Sequence, residues 1–321
     1  MELSGTRHTP LRVYLKAALG SVLAGAGLLA YARWVEPKWL AVERITLALP
    51  RLASSFDEYR LVHISDIHMD GWMTAKRLER IVDLINEQEP DLVAITGDFV
   101  DDFANHVSGI SRPLKRLRAP DGAVAVLGNH DYMNDAAAVR DALCSAGVID
   151  VSNSVHTLCR EGWVLHLCGV DCVMEKLDDL AKVLETLWDR KPGCAVLLAH
   201  EPDFADNSAA TGRFDLQLSG HSHGGQIKLL PFSNTPYIVP LLSRLGFPLV
   251  PPLIYRYPSG LYKVGKMYQY TNRGLGVINV RLRLNCRPEV TVITLRASQE
   301  RKKKQRGEQG RTNRKEPFSR A

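Results

Sequence analysis

The chain has 321 residues and six cysteines, but no two cysteines form a Cys-x-x-Cys pair. We therefore expect none of the structural zinc sites that are built on such pairs. A disulfide framework is also a poor fit for a chain of this length, which favours a reducing compartment. Cys168 and Cys194 lie in apolar strand-like runs, where we expect buried thiols.

The chain has no excess of positive charge outside its C-terminal end. The formal net charge is +6, and residues 299–321 contain nine Lys/Arg and three Asp/Glu, so the other residues contain 32 basic and 32 acidic side chains. We therefore expect no specific nucleic-acid binding by the body of the protein. The tail lacks apolar periodicity and is predicted to be disordered. It is either a solubility tail or a contact with anionic lipid or nucleic acid.

After the N-terminal region the sequence contains no further transmembrane run. Residues 17–32 carry no charge, and the run becomes long enough to span a bilayer if Arg12 and Lys16 snorkel. Three interpretations remain open: an uncleaved anchor or interfacial helix, a signal peptide cleaved after Ala30-Tyr31-Ala32, or a core helix. Basic residues lie on both sides, so they do not set an orientation.

Apolar strand-like runs then alternate with amphipathic stretches, after a predicted linker at 36–59. Residues 74–88 have helical spacing with Thr74 as N-cap, and 135–146 read as a helix closed by Gly147. We predict an α/β fold, a two-sheet sandwich flanked by helices over 60–298, between a hydrophobic segment at 1–35 and the tail at 299–321. Strands are expected at 60–65, 91–96, 123–127, 194–199 and 214–219, and strands of a second sheet at 261–264, 267–271 and 290–295.

Five of these strands end in residues that can bind a metal. Ligands in α/β sheets bind beyond the carboxyl ends of strands, so these residues should meet at one edge. A His-x-His pair alone could be a solvated turn, but the full set is too large for one tetrahedral ion and suits two ions sharing a carboxylate. Mixed oxygen and nitrogen donors favour Mn, Zn, Fe or similar ions over Mg or Ca. The endings are Asp66-x-His68, Gly97-Asp98, Gly128-Asn129-His130-Asp131, His200 and Gly220-His221-x-His223.

This series of motifs resembles the calcineurin-like metallophosphoesterases over about residues 61–223, with looser similarity to about 295. Within them the chain is similar to the YaeI/YkuE branch. That similarity rests on HISDIHMDGW, ITGDFVDD, LGNHDY, LLAHEPDFAD, GLYKVGKMYQYTNRGLG and a hydrophobic segment before Val35-Glu36-Pro37. After Lys228, the Leu229-Leu230-Pro231 stretch is one residue longer than the branch pattern.

The resemblance implies two divalent cations and a metal-bridging hydroxide as nucleophile, so no Ser or Cys forms a covalent intermediate. His130 would contact the phosphate together with Asn129. His130 would also protonate the leaving oxygen, with Asp131 orienting it, or act only as a phosphate donor. Four histidines outside the motifs, His63, His106, His156 and His166, are interpreted as structural. The implied ligands are Asp66, His68 and His223 for one metal, Asn129, His200 and His221 for the other, and Asp98 as the bridge.

Residues 229–258 are rich in proline and large apolar side chains, with Arg244 and Arg256 as their only charges. They form either core or a membrane-docking lid that admits acyl chains. With the N-terminal segment, the lid favours an amphiphilic substrate. Related enzymes resemble UDP-2,3-diacylglucosamine pyrophosphatases of lipid A biosynthesis. We thus expect a membrane-associated phosphodiesterase or pyrophosphatase at the cell inner membrane, on the cytoplasmic face.

Two other functions remain open. One is a broad-specificity phosphatase of nucleotides or phosphoproteins, which the apolar stretch and the N-terminal segment disfavour. The other is a non-catalytic scaffold with the same fold, which the full set of seven metal ligands disfavours.

Overall fold

The strands predicted from apolar runs form two six-stranded sheets in the computed structural model, which describes residues 10–101, 104–228, 255–278 and 281–298. The first sheet has the spatial order β1 (Ala41–Leu49), β12 (Glu289–Ala297), β2 (Tyr59–Ile64), β3 (Leu92–Thr96), β4 (Ala123–Val126) and β5 (Val148–Asp150). The second has the order β10 (Gly260–Val264), β11 (Met267–Thr271), β9 (Leu216–Ser219), β8 (Cys194–Leu198), β7 (Trp163–Gly169) and β6 (Ser154–Arg160).

The two sheets pack face to face with helices outside, which confirms the predicted α/β sandwich. Side chains from both inner faces, such as Leu61, Val124, Val196 and Leu218, share one buried cluster. The outer face of the first sheet packs on α2 (Ala75–Glu87), α3 (Ser111–Leu114) and α5 (Ala136–Ala146). The outer face of the second packs on α6 (Leu180–Trp188) and α7 (Ala205–Ala210). A further short helix, α4 (Asn129–Asn134), directly follows β4.

The helix ends follow the predicted capping chemistry. The Thr74 side chain accepts a hydrogen bond from the Arg77 backbone N–H at the start of α2. Gly147 ends α5 in the left-handed conformation, with φ of 77°. Cys168 and Cys194 are fully buried, as their apolar surroundings predicted.

Two expectations about the chain path are wrong. Residues 36–59 are not a linker, because β1 lies at the edge of the first sheet and pairs in parallel with β12 over nine residues. The assignment of strands to sheets also differs. The run at 290–295 belongs to the first sheet, since β12 lies between β1 and β2, whereas the runs at 194–199 and 214–219 form β8 and β9 of the second. The strand before the first motif and the strand near the end of the fold therefore complete one sheet together.

The N-terminal segment is helical. Helix α1 (Pro10–Ala30) continues through a π-helical turn (Tyr31–Val35) and a 3-10 turn (Glu36–Lys38). Among the described residues, one helical stretch, Val13–Lys38, is long and apolar enough to cross a membrane. Its most apolar part is exposed, whereas Ala32, Glu36 and Pro37 near its end are buried against the rest of the protein. The predicted tail at 299–321 and most of the apolar stretch, 229–254, lie outside the described residues.

Candidate dimetal centre

The seven residues expected to bind metal all lie at the carboxyl edge of five parallel strands. β2, β3 and β4 of the first sheet and β8 and β9 of the second run parallel within their sheets. The chain leaves each of these strands into a loop that carries one motif. Asp66, His68, Asp98, Asn129, His200 and His223 are at most 3% exposed, and His221 is partly buried.

One group of donors comes from the loops after β2 and β9. Asp66, His68 and His223 each direct one ligand atom into a space less than 4.8 Å across. The two imidazole Nε2 atoms of His68 and His223 lie 3.0 Å apart, and His223 Nε2 lies 3.4 Å from Asp66 Oδ1. Three strong donors this close together match the size of a divalent cation site.

A second group lies next to the first. Asp98, His200 and His221 also converge within 4.8 Å. His221 Nδ1 lies 3.1 Å from His200 Nε2, which lies 3.1 Å from Asp98 Oδ2. The same Asp98 oxygen lies 3.5 Å from His68 Nε2 in the first group. The Asp98 carboxylate therefore occupies the position of a bridge between two centres.

The backbone at this edge is strained where the donors lie. Asp66, His68, Asp98, His221 and His223 all have positive φ, between 48° and 65°. Such a conformation costs a non-glycine residue roughly 1–3 kcal/mol and persists only when the surroundings hold it. Here the loops hold one another, because the backbone N–H of Asp66 donates to Gly97 O and that of His68 donates to Asp98 O, each at 3.0 Å.

Gly128 shows why the motif before Asn129 needs glycine. A Cβ atom at this position would lie 2.3 Å from Asp98 Oδ1 and 2.7 Å from His200 Cε1. Because neither side chain can withdraw without leaving the cluster, any larger residue would separate the two loops. The close approach also lets the His130 backbone N–H donate to Asp98 Oδ1 at 2.9 Å.

Burial sets the protonation of the imidazoles. It lowers the pKa of His68 and His221 to about 4 and that of His223 well below its usual value, so these rings are neutral near pH 7. Burial also opposes the charged form of His200, but the adjacent Asp98 carboxylate raises the pKa of His200 well above its usual value. The His200 Nδ1–H donates to Thr96 O at 2.6 Å, which leaves Nε2 facing the cluster.

These donors fit two divalent cations. The Asn129 side-chain oxygen is buried and has no hydrogen-bond partner among the described residues, although a buried amide oxygen normally has one. The Nε2 atoms of the neutral His68 and His223 rings face one another at 3.0 Å, so both nitrogens are placed where one divalent cation would be held. Two carboxylates, one amide oxygen and four imidazoles form the mixed set that such ions take.

Comparison with known protein families decides what kind of site this is. The model of the calcineurin-like phosphoesterase family matches residues 59–225, slightly more than half of the chain. The chain belongs to the calcineurin-like phosphoesterase family. The resemblance expected from the sequence is thereby confirmed. This phosphoesterase is a metal-dependent phosphoester hydrolase of a family that uses two metals.

Three relatives illustrate the similarity. The phosphoesterase is 34% identical to the uncharacterized metallophosphoesterase YkuE of Bacillus subtilis, over 89% of this chain and 98% of that one. It is 28% identical to the phosphodiesterase YaeI of Escherichia coli, over 88% of this chain and 98% of that one. It is 31% identical to a transmembrane protein with metallophosphoesterase domain from Danio rerio, over 90% of this chain but only 63% of that longer protein.

The structure corrects the expected role of Asp131 in this phosphoesterase. Its carboxylate does not orient the His130 ring. Instead it accepts hydrogen bonds from the backbone N–H groups of residues 98, 99, 100 and 128, at 2.8–3.3 Å. The carboxylate that faces the ring is Asp101, whose Oδ1 lies 3.5 Å from His130 Nδ1. The sequence signal for this residue is the GD-x-x-D spacing of residues 97–101.

Sequence reasoning also missed residues 274–276, a segment that packs against Asp66 and His68 of the first donor group. Gly274 and Gly276 press on it so closely that a Cβ on either would lie 2.8 Å from the Cβ of Asp66 or His68. Leu275, between them, donates its backbone N–H to Ser65 O and Asp66 O. The signal was the TNRGLG stretch, whose two glycines have no explanation in strand or helix formation.

Two of the four histidines interpreted as structural have hydrogen-bond partners of their own. His63 shares a hydrogen bond with Thr96 Oγ1 at 2.9 Å, and His166 does so with Thr157 Oγ1 at 2.9 Å. Neither belongs to a donor group. His106 and His156 likewise belong to neither group.

Proposed function

We propose that this phosphoesterase hydrolyses a phosphodiester or diphosphate bond of a lipid-linked substrate at a membrane surface, using two divalent cations bound by the seven residues. The observation that carries the proposal is a chain of hydrogen bonds that connects the N-terminal helical stretch, through residues 283–286, to a loop of the site. A membrane anchor attached in this way keeps the reacting centre close to the lipid headgroups.

The bonding runs through residues 283–286. The Arg283 backbone N–H donates to Ala32 O at 3.0 Å, and the Cys286 backbone N–H donates to the buried Glu36 carboxylate at 2.5 Å. The Cys286 thiol in turn donates to the carbonyl oxygen of His223, at 3.3 Å. Cys286 therefore links the end of the helical stretch to the proposed metal ligand His223, which supports a site next to the membrane.

Each side chain of the site has a proposed task. Asp66, His68 and His223 would hold one cation, Asn129, His200 and His221 would hold the other, and Asp98 would serve both. When bound, the two cations supply positive charge that makes a water acidic and stabilises the phosphoryl oxygens in the transition state. Manganese, zinc and iron all suit this set of donors.

His130 lies where a leaving group would be protonated. Its backbone N–H is fixed on Asp98, while its side chain keeps 18% of its surface exposed. We propose that the ring contacts the substrate phosphate together with Asn129 and donates a proton to the leaving oxygen as the P–O bond breaks. Asp101 positions the ring and stabilises its protonated form.

The substrate that we propose is UDP-2,3-diacylglucosamine or a lipid-linked diphosphate of the same kind. Addition of water to one phosphorus breaks the diphosphate and yields UMP and an acylated sugar phosphate. Residues 1–35 would anchor the protein in the cell inner membrane, residues 60–298 would lie on the cytoplasmic face, and the basic tail at 299–321 would contact anionic lipid. The apolar stretch at 229–258 would admit the acyl chains.

The test uses the full chain in detergent micelles with Mn²⁺, and three substrates: bis-p-nitrophenyl phosphate, p-nitrophenyl phosphate and UDP-2,3-diacylglucosamine. Asp98→Asn and His221→Ala should each reduce hydrolysis at least about 100-fold. The first removes the negative charge shared by the two proposed metal positions, and the second removes an imidazole donor. Asp141→Asn and His156→Ala, outside the donor groups, are the matched controls. Bound metal is counted by mass spectrometry.

Preference for the lipid nucleotide over both chromogenic substrates, lost in the two site variants only, would support the proposal. Hydrolysis of the diester alone would keep the dimetal site and eliminate the lipid substrate. Equal activity on a soluble monoester, without dependence on micelles, would favour the broad-specificity phosphatase. Two bound metals with no turnover of any substrate would favour the scaffold.

A further inference from the structure

A groove at the end of the N-terminal helical stretch is lined by four cations and no acidic side chain. Lys38 forms one wall, and Lys76, Arg77 and Arg80 of α2 form the other, around a cavity of about 470 Å³. Leu275 contributes to its apolar base. This groove shares no lining residue with the two donor groups, although Leu275 in its lining lies between the two glycines that contact Asp66 and His68.

None of the four cations forms an ion pair within the described residues. The nearby Asp70 carboxylate attracts Arg77 but is itself paired with Arg281. Lys76 and Arg80 lie one helical turn apart, a spacing at which like charges destabilise a helix. A second basic groove, of about 460 Å³, lies at Arg112, Lys115 and Arg116. There the arginines are neutralised, because Arg112 pairs with Glu79 and Arg116 pairs with Asp83. The first groove therefore has positive charge that no ion pair within the described residues neutralises.

Arg77 is held in place for contact with an anion. Its guanidinium stacks 3.5 Å from the centre of the Trp72 ring and donates to Pro37 O at 2.6 Å. Burial, followed by the positive charges of Arg283 and Arg80, lowers the pKa of Arg77 to about 10, so the group remains charged near pH 7. An ordered guanidinium loses little entropy when it binds a phosphate.

The groove lies at the depth expected for lipid headgroups. Lys38 is the last residue of the stretch that could cross a membrane. Trp34 and Trp39 next to it are 62% and 54% exposed, although each is a large apolar side chain. Tryptophans at the end of such a stretch mark the boundary between the bilayer and water.

We propose that this groove binds the phosphate of an anionic membrane phospholipid in the leaflet where the helical stretch ends. This inference rests on the membrane location in the proposed function, but not on the substrate proposed there. The apolar base faces the glycerol and acyl part of the lipid, and the four cations face its phosphate. Leu275 lines the groove and also donates its backbone N–H to Asp66 O. A lipid bound in the groove would therefore set the distance between the metal site and the membrane surface.

The experiment measures lipid binding by the full chain in neutral detergent. Mixed micelles with increasing phosphatidylglycerol are compared with phosphatidylcholine micelles and with free inorganic phosphate, and retained lipid is counted by native mass spectrometry. We expect Lys76→Gln/Arg80→Gln to weaken phosphatidylglycerol binding about 10-fold or more. The matched control, Arg112→Gln/Lys115→Gln, removes the same charge from the neutralised groove and should change binding less than 2-fold.

Equal weakening by both double variants would overturn the assignment to this groove, as would wild-type binding by Lys76→Gln/Arg80→Gln. Saturation by inorganic phosphate at the same concentration as by phosphatidylglycerol would overturn the lipid as the ligand. Hydrolysis of bis-p-nitrophenyl phosphate should be unchanged in both variants. Because lipid binding is measured without turnover, the groove can be supported even if the diacylglucosamine substrate fails, and the reverse also holds.

Discussion

Replacement of Asp131 by asparagine tests whether this residue builds the site or takes part in its chemistry. The carboxylate is buried, and its two oxygens accept four backbone N–H bonds from the loops after β3 and β4. Asparagine has almost the same shape, so Asp131→Asn leaves no cavity. It does replace one accepting oxygen with an NH2 group, which faces two backbone N–H donors.

The cost follows from those two donors. Each buried N–H that loses its acceptor destabilises a fold by about 1–3 kcal/mol, so Asp131→Asn should lose about 2–6 kcal/mol of unfolding free energy. That is a large share of the roughly 5–15 kcal/mol that a domain has. Since the same bonds hold Asp98 near Gly128, we also expect the variant to bind less metal.

The assay is urea unfolding followed by tryptophan fluorescence at pH 8, with chelator and with Mn²⁺. That pH lies above the value of about 7 to which burial and the Asp98 charge raise the pKa of Asp131. Asp101→Asn is the matched control, because its side chain is 21% exposed and faces His130. It should keep wild-type stability but alter the pH dependence of hydrolysis. Its metal content is not part of the control, because Asp101 Oδ1 also lies 3.8 Å from His68 Nδ1.

The reverse pattern would refute this reasoning. If Asp131→Asn unfolded at the wild-type urea concentration, bound two metals and lost activity as His130→Ala does, Asp131 would be the residue that orients the catalytic ring. The original expectation from the GNHD motif would then be correct.

Two further predictions concern packing and pH. Gly128→Ala should lose bound metal and at least about 100-fold in activity, since its Cβ would meet the Asp98 carboxylate. The control Gly71→Ala, whose Cβ would have no atom within 4 Å, should keep wild-type metal content and activity. His63 is neutral in the fold, because burial lowers its pKa to about 3 from 6.5, so the stability that it confers is complete above pH 6.5 and falls as the pH drops toward 3. Between pH 7.5 and 5.5, the wild type should lose about 1.4 kcal/mol more unfolding free energy than His63→Gln.

The sequence predicted the location of the candidate site well. Strands read from apolar runs and the polar residues at their ends predicted seven donors, and six of them converge in the structure, since carboxyl ends of parallel strands meet at one edge. The capping residues Thr74 and Gly147 were also readable, because each satisfies a local backbone requirement. Each of these predictions depends only on residues that are close together in the sequence.

What failed depended on partners far along the chain. β1 was mistaken for a linker because its stabilising partner, β12, lies about 250 residues away. Its alternation of buried and exposed residues is irregular as well. The role of Asp131 was misassigned for a similar reason. Adjacency to His130 suggested contact with the ring, whereas the helical start of α4 turns the carboxylate toward the amides after β3.

The strain at the site explains why its motifs must fold together. Five proposed ligands have positive φ, which at roughly 1–3 kcal/mol each adds up to an energy similar to the stability of a whole domain. No single loop can offset this alone.

The loop after β9 depends on that after β2, because the His221 N–H donates to Asp66 Oδ1 at 2.9 Å. The loop after β2 depends on that after β3 through Asp66 and His68, and the loop after β3 depends on Asp131. Because each loop holds its neighbour in the strained conformation, losing one bond should loosen donors of both groups. Single substitutions far from any cation should therefore affect the binding of two metals rather than one.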